Sequence, residues 1–160
     1  RHVGWARDGQ LPYPQRALRT ADYLYIINFA SDRWPMGDPN NITADTAPNF
    51  NTLANNTFIT FGDLDASPTK AWLIGKRNEP KWKWHYNYAF GKRPREELFI
   101  LRDDPDQIKN VAANPKYAAI KKKLNAQLMA ELKRTGDPRV TGDGTTFDKL
   151  PFAGDFRSTP

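Results

Sequence analysis

The sequence predicts an α+β fold: a small antiparallel sheet, a long C-terminal helix packed across one face of it, and an extended tail. Three observations carry this expectation. QRALRT (Gln15 to Thr20) and DYLYIINF (Asp22 to Phe29) hold strand-type residues on either side of the polar Thr20-Ala21-Asp22, the pattern of a hairpin. ELFIL (Glu97 to Leu101) is a second short apolar run. From Asn114 to about Arg134, Tyr117, Ile120, Leu124, Leu128 and Leu132 recur at spacings of 3, 4, 4 and 4, a single helical stripe.

The opening, Arg1 to Pro14, has no period and is expected to be a loop. In YLYIINF both faces are apolar, as suits a strand covered on both sides. Ala30 to Thr60 is long, irregular and rich in Asn, Asp, Thr and Pro; a segment of this length must pack on something or move. ASPTKAWLIGKR (Ala66 to Arg77) predicts a helix, with Ser67 as N-cap, Pro68 in the first position and Gly75 near the end. KWKWHYNYAFGKRP (Lys81 to Pro94) is expected to be a bent segment. DDPDQ (Asp103 to Gln107) is a turn. Asn114 and Pro115 open the last helix, and Gly136 and Pro138 stop it. Residues 1–140 are taken as one domain and 141–160 as an extended tail.

The 160 residues suffice for one domain of ordinary size. The hydrophobic fraction, 39%, and the mean hydropathy, -0.75, describe a rather polar chain with 13 Pro and 10 Gly, while 12% aromatic residues argue against wholesale disorder. Basic minus acidic residues is 24 − 18 = +6, so the surface attracts polyanions: nucleic acid, anionic lipid or sulfated glycan. The absence of cysteine excludes disulfides, thiolate metal sites and thiol nucleophiles. No apolar run approaches a membrane span. The start, RHVGWARDG, has neither Met nor an apolar targeting core and is expected to belong to the interior of a longer protein.

Phosphate-binding, dinucleotide, zinc-protease and nucleophile-elbow motifs are all absent, and the two histidines, His2 and His85, are not at metal-ligand spacing. Asp103-Asp104 could bind a hard cation, but a solvated turn is the preferred reading. Lys121 to Lys123 is preferred as the wet face of an amphipathic helix over a polyanion contact. KWKWHYNY is the stronger binding candidate, since rings interleaved with Lys can stack on bases or sugars; packing remains the favoured role. Two N-glycosylation sequons, at Asn41 and Asn55, lie in an Asn-rich stretch where they arise easily by chance.

EELFILRDDPDQIKNVA (Glu96 to Ala112) resembles the closing signature of type I sulfatases, with Glu97-Leu98-Phe99, Asp104-Pro105, Gln107 and Asn110-Val111-Ala112 in the family's order. YPQRALRTADYLYIINF (Tyr13 to Phe29), Ser67-Pro68-Thr69 and Gly136-Asp137-Pro138-Arg139 are similar to the heparan N-sulfatase (N-sulfoglucosamine sulfohydrolase) group and its bacterial relatives. The resemblance spans roughly Arg1 to Val140. It implies the C-terminal subdomain of the sulfatase fold, of the alkaline-phosphatase-like superfamily.

For a parent enzyme the resemblance implies formylglycine and calcium, but the Cys/Ser-x-Pro/Ala-x-Arg motif and the upstream metal ligands are not in this sequence, so no catalytic and no metal-binding residue is expected here. The implied partners are an N-terminal catalytic domain, a sulfated glycan and possible homodimerisation, in a periplasmic or extracellular setting. His2, with Arg1 and Arg7, falls near the place where the N-sulfatase group carries a rim histidine; these three are the candidate contacts to an anionic sugar. The rival reading is a stand-alone basic, aromatic module for nucleic acid or sulfated polysaccharide. A small hydrolase built on His85 has no partner spacing behind it.

Overall fold

The computed structural model describes residues 7–149. In chain order the elements are β1 (Gln15–Arg19), β2 (Tyr23–Asn28), α1 (Phe50–Asn55), α2 (Pro68–Gly75), α3 (Pro80–Phe90), β3 (Glu96–Ile100), α4 (Ala118–Arg134) and α5 (Pro138–Thr141). The described residues form two compact units, a sheet unit of residues 14–30 and 94–149 and a helical unit of residues 7–13 and 31–93.

The sheet unit is an α+β structure with a three-stranded antiparallel sheet in the order β1-β2-β3. The hairpin turn closes because the Thr20 hydroxyl accepts the main-chain N–H of Tyr23 at 3.0 Å. Strand alternation puts Tyr25, Ile27 and Leu98 on one face. There they form a core with Ala112, Leu124, Leu128 and Leu132, so the stripe read from the sequence is the buried face of α4. Asn114 and Pro115 open the helix as expected, although its first turn, Pro115–Tyr117, is 3-10 rather than α. On the opposite face Phe99 is buried while Leu24 and Ile26 are half-buried.

α4 ends in a Schellman motif. Gly136 has φ 67; its N–H donates to Lys133 O at 3.1 Å and the Asp137 N–H to Leu132 O at 2.8 Å. Asp137 then caps α5 by accepting the Arg139 N–H at 2.9 Å, and its other oxygen pairs with Arg16 of β1 at 2.5 Å. The Gly-Asp-Pro-Arg sequence is thus the joint that fastens the end of α4 to the sheet. The residues just beyond α5 do not run free: Arg139 donates to Gly144 O and pairs with Asp148 at 2.7 Å.

The acidic turn after β3 is built the same way. Asp104 accepts the N–H groups of Ile108 at 3.0 Å and Lys109 at 2.8 Å, and Gln107 adopts φ 57 between them. Asn110 Oδ1 accepts both the Leu98 N–H and the Ala112 N–H at 2.9 Å, and its amide donates to Glu96 O at 3.2 Å. Val111 N–H adds a main-chain bond to Leu98 O at 2.9 Å. The loop therefore lies along β3 in place of a fourth strand and satisfies its edge.

In the helical unit Leu53, Phe61, Ala71, Ile74 and Phe90 form the core, with Trp34, Met36, Ile42 and Ala47 packed against it. The irregular stretch from 30 to 60 thus packs, and it includes α1, which the sequence reading missed; Asn49 caps that helix by accepting the Thr52 N–H at 2.9 Å. α2 lies inside the expected Ala66–Arg77 window, with Ser67 as N-cap. The segment expected to be bent is instead the regular α3. Pro80 occupies its first turn and Tyr86 and Phe90 bury one side, which overrides the modest helix propensity of its aromatic residues.

Candidate functional site

Arg1 and His2, two of the three expected sugar contacts, lie outside the described residues. Arg7 is 2% exposed. Its guanidinium pairs with Asp63 at 3.1 Å, donates to Pro35 O at 3.0 Å and to Leu11 O at 2.7 Å, and also donates to Trp34 O. These bonds tie residues 7–13 to the helical unit, and a guanidinium held this way is an internal staple.

Other sequence candidates take similar structural roles. Lys121 pairs with Glu96 at 3.0 Å, whereas Lys122 and Lys123 are exposed. Glu96 in turn accepts the Tyr25 hydroxyl at 2.5 Å, and Asn125 donates to that hydroxyl at 2.9 Å. Burial, then the Glu96 hydrogen bond, pushes the Tyr25 phenol up to about 12. Burial alone would raise the Glu96 carboxyl, but the Tyr25 hydroxyl and Lys121 outweigh it and hold it below its usual range. Asp103 is exposed beside Arg102, and Asp104 is consumed by its turn. The Asn41 amide donates to Ile59 O at 2.8 Å.

Lys70 is a feature that the sequence reading did not single out. It is 1% exposed, and its ammonium donates to Thr57 O at 3.1 Å, Phe61 O at 3.1 Å and Leu64 O at 2.7 Å. Burial, partly opposed by Asp65, pushes it down to about 8. Three carbonyls match its three donors, so it serves as a clasp for the 57–64 loop, where Phe61 holds φ 45. Among the described residues no group of three or more His, Cys, Asp or Glu side chains is placed to hold a metal ion. Ser67 is a helix cap.

The surface with binding chemistry is the outer side of α3 and the neighbouring Trp72 of α2. At 100° per residue, Trp84, Tyr88, Lys81 and His85 follow one another around one arc of α3, away from Tyr86 and Phe90, and Trp82 lies between this arc and Tyr86. Trp84 stacks on Tyr88 with centroids 5.1 Å apart and planes at 16°. His85 lies 5.0 Å from Trp84 and 5.3 Å from Trp82, and Trp82 meets Trp72 edge-on at 4.7 Å. Lys81 sits 4.7 Å over Trp82 and Arg93 5.2 Å over Tyr88. Trp72 also borders a shallow apolar depression of about 300 Å³ with Phe50, Pro68 and Thr69.

With this geometry in view, the relatives are informative. No protein-family model matches the chain. An ulvan-active sulfatase of Formosa agariphila is 28% identical over 125 residues, 78% of this chain and 18% of that protein. Another ulvan-active sulfatase of the same organism is 33% identical over 76 residues, 48% of this chain and 12% of that protein. An uncharacterized protein of Haemophilus influenzae is 36% identical over 53 residues, 33% of this chain and 27% of that protein. The chain thus contains a sulfatase-related region and spans less than a third of the length of each of these relatives, and under a fifth of the two sulfatases. Its α+β sheet unit fits the C-terminal subdomain of sulfatases.

Proposed function

We propose that this chain is the C-terminal part of a sulfatase whose whole enzyme hydrolyses sulfate esters or N-sulfates of a sulfated glycan. In this reading it buttresses the catalytic domain, borders the substrate cleft and releases no sulfate by itself. The observation that carries it is the 125-residue match to an ulvan-active sulfatase, together with the use of Asp104 and Asn110 to bind the closing loop onto β3. These signature positions act on folding rather than on substrate, as expected of a supporting subdomain.

Calcium and formylglycine would then be supplied by the catalytic domain, which the reading places upstream of this chain in a periplasmic or extracellular enzyme. Dimerisation is left as a possible partner state of that enzyme. Among the described residues no helix is long and apolar enough to cross a membrane. The hairpin from Tyr13, Ser67-Pro68-Thr69 and Gly136-Asp137-Pro138-Arg139 support the heparan N-sulfatase side of the family, whereas the matched relatives are named for ulvan. Arg1 and His2 remain the proposed rim contacts.

The test is sulfate release from ulvan and from heparan sulfate by the complete gene product and by the 160-residue chain. Release by the complete product alone is expected. Release by the chain alone would overturn the reading. A second reading, a stand-alone polyanion-binding module, is favoured by the exposed Trp84–Tyr88 stack with its flanking cations.

A further inference from the structure

We propose that the outer arc of α3, extended by Trp72 of α2, is a binding surface for a sulfated polysaccharide chain, an inference whose choice of ligand rests on the sulfatase reading. Among the exposed rings of this unit, three belong to α3 and α2: Trp84 at 50%, Tyr88 at 40% and Trp72 at 38%. An aromatic surface held in water is unfavourable unless a ligand covers it. Trp84 and Tyr88 brace each other face to face, and Trp72 and Trp82 brace each other edge to face. Rings already fixed by their neighbours lose little freedom when a ligand stacks on them, which lowers the cost of binding.

Charge selects the ligand class. α3 carries two full charges, Lys81 and Lys83, and both are positive. Arg93 lies over Tyr88 and also donates to its carbonyl, which keeps its guanidinium beside the stack. Trp84 stacks on the Tyr88 ring and Arg93 lies over it, so the part of the platform left to a ligand is the exposed side of Trp84, with Lys81 and Arg93 as its neighbouring cations. A sugar ring lays its C–H face on such a platform while sulfates at its edge reach the flanking cations.

A nucleic acid suits the surface less well. Trp84 and Tyr88 are already stacked on each other, so no base can enter between them. Lys81, Lys83 and Arg93 are also few against a phosphate on every nucleotide. The sequence reading favoured packing over a ligand role for KWKWHYNY. The helix divides the two roles, with Tyr86 and Phe90 facing inward and Trp84 and Tyr88 outward.

The test measures binding of the 160-residue chain to dextran sulfate, unsulfated dextran of matched length and poly(dT) by affinity electrophoresis and calorimetry. Dextran sulfate should bind at least tenfold more tightly than either of the others. The double substitution Trp84→Ala/Tyr88→Ala should weaken it at least tenfold with the melting temperature unchanged, because both rings stand outside the core. Trp84→Phe, which keeps a ring, should retain most of the affinity, and Lys81→Gln/Lys83→Gln should lose several-fold. Undiminished binding after Trp84→Ala/Tyr88→Ala, or poly(dT) binding as tightly as dextran sulfate, would overturn the proposal. Hydrolysis of 4-nitrophenyl sulfate by the complete gene product tests the sulfatase reading separately, since that small ester has no need of a polysaccharide surface.

Discussion

The side-chain oxygen of Asn110 accepts the main-chain N–H of Leu98 at 2.9 Å, so one loop residue satisfies the edge of the buried end of β3. The same oxygen accepts the Ala112 N–H, and the amide donates back to Glu96 O. Asn110→Ala removes all three bonds and leaves the Leu98 N–H unpaired beside a fully buried side chain. It should cost about 1–3 kcal/mol. Asn110→Asp keeps the acceptor and should cost less. Urea unfolding midpoints of the two variants, compared with wild type, give the order directly.

Two glycines in the helical unit should respond with opposite signs. Gly37 has φ 87, and a Cβ there would meet the main-chain nitrogen of Gly62 at 2.9 Å. Gly37→Ala should therefore destabilise by about 2 kcal/mol or more, from left-handed strain and the backbone clash together. Gly75 closes α2, and a Cβ there would meet nothing within 4 Å. Gly75→Ala should stabilise by about 0.5–1 kcal/mol. Thermal melts of both variants check the pair.

The Tyr25–Glu96–Lys121 network sets a pH dependence at both ends. The Tyr25 phenol is raised from 10.0 to about 12, so its contribution is complete below pH 10 and is lost as pH rises toward 12. Glu96 and Asp137 are both held low. Burial opposes this in each, and the bonds from Tyr25 and Lys121, or from Arg16 and the Arg139 N–H, outweigh it. Their contributions are complete above the ordinary carboxyl range and fade as pH falls through and below it. Tyr25→Phe should flatten the alkaline loss and Glu96→Gln part of the acid loss, as read from unfolding midpoints across pH.

Lys70 gives the reverse slope at intermediate pH. Its folded value, about 8, lies below the ordinary 10.5, so the unfolded chain binds more protons between these values and stability rises with pH across that window. Lys70→Met should remove the rise. It should also cost about 1–3 kcal/mol at pH 7, because it strands the carbonyls of Thr57, Phe61 and Leu64.

The hairpin, the α4 stripe and the caps at Ser67 and Asn114 were legible because each depends on residues close in sequence. α1 was not, since six residues in an Asn-rich stretch give too short a period to read. α3 was misjudged as bent because its rings looked alike; only the tertiary fold separates inward Phe90 from outward Trp84. Arg7 and Lys70 carry charge, and neither showed in the sequence that it would be buried against main-chain carbonyls, those of Arg7 far along the chain and those of Lys70 in the preceding loop. The resemblance carried by Asp104 and Asn110 was visible at once, whereas their work as a clasp on β3 needed the sheet.

The most direct test of the central claim is the release of inorganic sulfate from ulvan, measured side by side for the complete gene product and the isolated chain. The account predicts steady release by the complete product and none by the chain. Sulfate freed by the chain alone, or a correctly folded complete product that frees none from ulvan, heparan sulfate or 4-nitrophenyl sulfate, would contradict it.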